Sequence, residues 1–143
     1  MDNRYLFRGK RIDNGEWIVG SLIVDKQQDI ETGEQIEIVG IYPSEYKDFS
    51  KRTDPSTICQ CTGLVDMNGK LIWENDIVKD RDRRGIKSLL YKVVWDCEEG
   101  MWAAQSSRSK VSYCIGDANR NGYEVIGNAI DNPKLLESED KEG

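Results

Sequence analysis

Three groups of side chains in this chain have the types and spacing to do chemistry. Lys79, Arg81, Arg83, Arg84 and Lys87 put five positive charges in one short stretch, enough to follow a phosphate backbone. Tyr91, Trp95 and Trp102 follow closely in sequence and are of the kind that stack on bases beside a cationic groove. Asp80 and Asp82 interrupt that run and weaken its field, so a solvated, salt-bridged loop is the competing role. Asp66, Glu74 and Asp76 gather around one expected hairpin, near enough to share a proton or a hard cation. Their spacing matches no metal loop, and Asp in turns commonly binds backbone amides instead.

Cys59, Cys61, Cys97 and Cys114 form the third group. They contain no C-x-x-C pair and no histidine to complete a zinc set, so an all-cysteine site would need distant strands to converge. Four reduced thiols used as small hydrophobes are expected, with no metal and no cofactor. The chain has no histidine at all, which removes the commonest general base and the usual activator of Ser and Cys nucleophiles. Phosphate-cradling glycine loops are absent as well. No catalytic residue is assigned, and the expectation is that the chain is not an enzyme.

The elements that must position these residues have period two and end at turn residues. GEWIVGSLIV, Gly15 to Val24, follows Asp13-Asn14-Gly15 and predicts a hairpin with Tyr5-Leu6-Phe7 as the preceding strand. Ile36, Ile38, Ile41 and Tyr42 continue the β pattern after the polar connection Glu31-Thr32-Gly33-Glu34. From Pro43 to Pro55 the chain is polar and bounded by prolines, which marks a boundary between two lobes. Asn68-Gly69 between Leu64-Val65 and Leu71-Ile72-Trp73 predicts a two-residue type I′ hairpin. Leu89, Tyr91, Val93 and Trp95 alternate along one face of a half-buried strand. Met101 to Ala104, Val111 to Ile115 and Tyr123 to Ile126 give further short strands between turns. Such spacing argues for a small barrel or sandwich.

A length of 143 residues fits one domain or two small lobes. A hydrophobic fraction of 38% beside a charged fraction of 32% describes a globular chain rather than a disordered one. Nothing approaches a membrane-spanning apolar run, and the start MDNRYLFRGK has no apolar stretch behind its basic residues, so a cytoplasmic, non-membrane protein is expected. A net charge of −6 gives no global support for binding polyanions.

The stretch CQCTGLVDMNGKLIWENDIVKD, Cys59 to Asp80, with EVIGNAIDNPKLLE, Glu124 to Glu137, resembles the YopX family of phage and prophage proteins. That family's pattern runs roughly QYTGLxDxNGxxIYEGDIV and then VIGNxxENPELL. The opening YLFRGK and the later GEWIVGSL also look like its N-terminal features, so the likeness spans Tyr5 to Glu137. Cys61 stands where the family usually has Tyr, Trp73 where it has another Tyr, and Asn75 where it has Gly. The resemblance implies a bacterial phage or prophage origin and an all-β architecture, and it supplies no activity or site residues. The NDIVKD run, Asn75 to Asp80, also looks like the first strand of SH3-like barrels of the translation-protein type.

The fold expected is therefore mainly β: a single YopX-like domain over 1–137, with an N-terminal β lobe over 1–56 and an SH3-like barrel over 57–132. A short turn over 133–137 and a flexible tail over 138–143 follow. The leading function is a small interaction module that binds a protein partner or associates with itself as a homo-oligomer. The alternative is a nucleic-acid-binding barrel using Lys79, Arg81, Arg83, Arg84 and Lys87, and a carboxylate-dependent enzyme comes third.

Overall fold

The protein's structure, a computed structural model, describes residues 3–42, 53–80, 88–106, 112–116 and 122–141. It comprises two compact units, Met1–Gln60 and Cys61–Gly143, which divide inside one strand.

In the first unit, strands β1 (Phe7–Lys10), β2 (Trp17–Gln28) and β3 (Gln35–Tyr42) form an antiparallel ribbon in the order β3-β2-β1. The start of β4 (Cys59–Val65) closes the other side of β1, with Phe7 opposite Gln60 and Arg8 opposite Cys59. Tyr5 lies not in the first strand but in a 3-10 turn, Asn3–Tyr5, so β1 begins at Phe7.

Two hairpin loops in this unit follow one design. Arg11 pairs with Glu16 and Asp29 with Glu34, each enclosing four residues of which the last is a glycine whose N–H returns to the first residue's carbonyl. That glycine sits at φ 71 for Gly15 and φ 73 for Gly33, the left-handed region an L side chain resists. The Asp29 carboxylate accepts from the N–H groups of Glu31 and Thr32, which locks the loop.

The base of the ribbon is where the unit packs. Gly9 is buried, and a Cβ placed there would collide with Thr53 Cγ2 and come within 3.2 Å of Ile58 and 3.4 Å of Ile41. Thr53 Oγ1 accepts from the Ile41 N–H, and Thr57 Oγ1 accepts from the Lys10 N–H at 2.8 Å. Asp54 caps the 3-10 turn Pro55–Thr57 through the Ser56 N–H.

The second unit holds the rest of β4 with β5 (Leu71–Trp73), and the sheet β10-β6-β7-β8-β9. Its strands are β6 (Asp76–Lys79), β7 (Leu90–Asp96), β8 (Met101–Ser106), β9 (Ser112–Cys114) and β10 (Glu124–Asn128). A helix, α1 (Pro133–Lys141), follows and runs past Glu137 to Lys141. Ile72, Val78, Tyr91, Val93, Ala104 and Ile115 make the buried centre, with Leu64, Leu89, Trp102, Tyr123 and Val125 packed on it. The alternation seen in β7 is therefore a core face at Tyr91 and Val93. It ends at Trp95, which is half exposed and lies edge-on to Trp102 across the β7–β8 ladder.

The class expected from the sequence, mainly β, is what these strands form. Closure into an SH3-like barrel over 57–132 is not what their ladders describe. A barrel needs its terminal strands to pair, and among the described residues no ladder joins the three-residue β9 to β10, which is itself bulged between Val125 and Gly127.

The turn after Val65 also differs from expectation. The Asp66 N–H donates to the Lys70 carbonyl and the Gly69 N–H to the Asp66 carbonyl, so the loop holds three residues rather than two. It is a type I turn completed by Gly69 at φ 80. Asp66 explains the shift, because its carboxylate accepts from the N–H groups of Asn68 and Lys70 at 2.9 Å each and favours the type I geometry over I′.

Candidate interaction surface

The register of β2 against β3 fixes which backbone groups face outward. The Asp29 N–H donates to the Glu34 carbonyl across the ladder, and every later pair continues that register without a break from Gln28 opposite Gln35 to Ser21 opposite Tyr42. In an antiparallel ladder hydrogen-bonded pairs alternate with non-bonded ones. Ile36, Ile38, Gly40 and Tyr42 therefore direct their N–H and C=O groups to β2. Gln35, Glu37, Val39 and Ile41 direct theirs away, and the Ile41 N–H does reach outward to Thr53. Among the described residues, nothing takes up the outward groups of Gln35, Glu37 and Val39.

β1 accompanies β2 only as far as Gly20, opposite Phe7. Beyond it the ribbon is two strands thick, and from Ile23 to Gln28 each β2 residue is exposed. Pairing places Val19, Ile23 and Ile36 on one face, and they are 45%, 38% and 44% exposed. Lys26 and Glu37 stand opposite each other on the other face, with Gln28 beside Gln35. Ile30 at the loop tip is fully exposed. A two-stranded ribbon with an apolar stripe in water is marginal on its own, and natural edges are ordinarily blunted by lysine, proline or a bulge. From β3's first residue to Val39 this edge carries none of these.

Two of the candidate carboxylates, Asp66 and Asp76, are held by backbone N–H groups. Asp66 is 1% exposed, and its second carboxylate oxygen accepts from the Val125 N–H at 2.9 Å, which ties the β4–β5 loop to β10. Burial alone pushes its carboxyl upward, but the hydrogen bonds from Val125, Lys70 and Asn68 and the charge of Lys70 outweigh it and leave the group below its ordinary value. Asp76 is 2% exposed and accepts from the Trp73 N–H at 2.8 Å. Between them, Asn75 takes φ 68 while its N–H donates to Val93 and its carbonyl accepts from Ala129. Alanine at position 75 is expected to lower the stability of the second unit by about 1 kcal/mol, and glycine to leave it nearly unchanged, as read by chemical denaturation.

Of the basic group, Lys79 is described: it is exposed and lies in the ladder between Glu124 and Leu90. Arg81, Arg83, Arg84 and Lys87 lie outside the described residues. Asp80 accepts from the Leu89 N–H at 2.6 Å, and the Tyr91 hydroxyl donates to its other oxygen at 3.4 Å. Tyr91 is thereby a core residue whose phenol is pushed well upward by burial and by Asp80, not an open stacking surface. Cys59 and Cys61 are buried and Cys97 and Cys114 exposed. Among the described residues no three His, Cys, Asp or Glu side chains converge as a metal site, and no described helix is long and apolar enough to cross a membrane.

Sequence reasoning found the apolar positions of β2 and β3 without recognising the exposed arm they build. No sequence signal marks the arm: it follows from β2 running twelve residues beside a strand of four, which shows only in the register.

A family model described as YopX protein matches residues 6–137 of this chain. The crystal structure of protein EF1440 from Enterococcus faecalis is similar to it, with 23% identity, covering 91% of this chain and 96% of that one, at a TM-score of 0.49. Among curated proteins, none matches.

Proposed function

Since the chain belongs to the YopX family, we propose that it works in phage or prophage biology as a non-catalytic interaction module, presenting the β2–β3 arm to a protein partner. The observation that supports this reading is the arm itself: strand edge and apolar stripe held in water by a well-packed base. The non-catalytic part is supported by the fate of two of the three candidate carboxylates, since Asp66 spends both oxygens and Asp76 one oxygen on backbone N–H groups.

Trimming the arm tests the proposal. Val24 faces Val39 in register, so replacing residues 25–38 by Asn-Gly gives a short hairpin with a favoured turn. A photo-crosslinker at Val19 of the full-length protein in bacterial cells is expected to trap a discrete protein species, which the trimmed variant loses while the second unit's unfolding transition stays in place. An unchanged crosslinking pattern after trimming, or none in either protein, overturns the reading. Binding of single-stranded nucleic acid that falls steeply with salt and needs Arg83 and Arg84 would favour the nucleic-acid alternative instead.

A further inference from the structure

We propose, resting on the interaction reading above, that the outer edge of β3 at Gln35, Glu37 and Val39 takes one extended strand of a partner protein in which basic and apolar residues alternate. Each of the three residues offers one N–H donor and one C=O acceptor on the same side, the arrangement that strand addition uses. Flanking side chains then set what the added strand carries. Its residues on the Glu37 face lie beside Gln35, Glu37 and Val39, and those on the opposite face lie beside Ile36, with Ile23 one strand further in across from Gly40. A period-two strand with cations on the first face and β-branched residues on the second satisfies both.

Charge selects between a foreign strand and a second copy of this chain. Residues 25–37 carry five carboxylates, Asp25, Asp29, Glu31, Glu34 and Glu37, against the single cation Lys26, a net −4 out of the chain's −6. Four of the five lie at or beyond Asp29, around the β3 end of the arm. Two such edges brought together would set Glu37 against like charge, which costs stability in a cross-strand pair. A basic strand meets complementary charge along the same edge.

The register supplies a variant that separates strand addition from general stickiness. The Glu37 N–H points outward, so Glu37→Pro removes an edge donor without removing a bond of the β2–β3 ladder. Glu37→Gln keeps that donor and removes only charge. The probe is a capped, fluorescently labelled peptide alternating lysine and valine, compared with its glutamate–valine counterpart and with a shuffled lysine–valine sequence.

Full-length protein is expected to bind the alternating lysine peptide at least about tenfold more tightly than either control, with amide exchange slowed at Gln35, Glu37 and Val39. Glu37→Pro is expected to weaken binding about tenfold or more while the cross-strand β2–β3 contacts persist by nuclear magnetic resonance, and Glu37→Gln to weaken it less and flatten its salt dependence. Equal binding of all three peptides, or wild-type affinity in Glu37→Pro, overturns the inference. Light scattering that shows the protein alone to be a dimer, dissociated by Glu37→Pro, also overturns it and assigns the edge to a second copy. If the peptide fails while arm-dependent crosslinking at Val19 persists, strand addition falls and the interaction reading stands; if crosslinking is absent too, both fall.

Discussion

Asp66→Ala is expected to remove about 3–4 kcal/mol of stability from the second unit, measured by urea denaturation, because three backbone N–H groups lose their acceptor at once. Asn68 and Lys70 are bonded through one oxygen and Val125 through the other. The side chain is 1% exposed, so water has little access to replace it. Asp66→Asn keeps an oxygen for the loop but turns an amide N–H₂ toward the Val125 N–H, and a smaller loss of about 2 kcal/mol is expected.

The same residue sets an acid limit. Its folded-state pKa lies below the ordinary value of 3.8, so the carboxylate contributes its full stabilisation above that value. The contribution fades as the pH falls from there through the folded-state pKa, since the unfolded chain takes up the proton first. Wild-type stability is therefore expected to drop on acidification below about pH 4 more steeply than that of Asp66→Asn, and parallel curves would show that the group is not coupled to folding.

Gly9→Ala is the counterpart in the first unit, with an expected loss of about 2–3 kcal/mol from overpacking. The added methyl would strike Thr53 Cγ2, whose Oγ1 holds the Ile41 N–H, so relief requires moving a side chain that is itself 2% exposed and hydrogen-bonded. Gly9→Ala with Thr53→Ser removes the methyl that collides and keeps the hydroxyl. It is expected to recover about half of the loss, since Ile58 still lies within 3.2 Å. Gly40→Ala serves as the neutral comparison, because a Cβ there meets nothing within 4 Å.

How much of this was legible in the sequence follows from the range of the interactions. A strand with a buried face announced itself: Tyr91 and Val93 in β7 are where alternation placed them, whereas Ile72, buried next to Trp73 in β5, breaks the period-two rule. Loop design was half legible. Asp29 to Gly33 and Asp96 to Gly100 both put an Asp four residues before a positive-φ glycine, with the carboxylate accepting from the second and third following N–H groups. Read as a D-x-x-x-G pattern, it would have given both loop lengths. Asp66 was marked as a turn residue, yet its bond to Val125 joins positions 59 residues apart and has no local signature.

The arm was hidden for a different reason. Ile23, Val24 and Ile36 have the composition of core strands, and only the register shows that β1 reaches no further than Phe7, opposite Gly20, and leaves them uncovered. Apolar residues used on a surface look, in sequence, like apolar residues used inside.

Two neighbouring sulfhydryls have a practical consequence. Cys59 and Cys61 are both fully shielded, yet one belongs to the first compact unit and the other to the second. Pulsed alkylation along a denaturant series, with mass spectrometry to distinguish the two positions, turns them into built-in clocks for the opening of each half. Simultaneous alkylation would mean one cooperative melting event, and staggered alkylation would rank the halves by their resistance to opening.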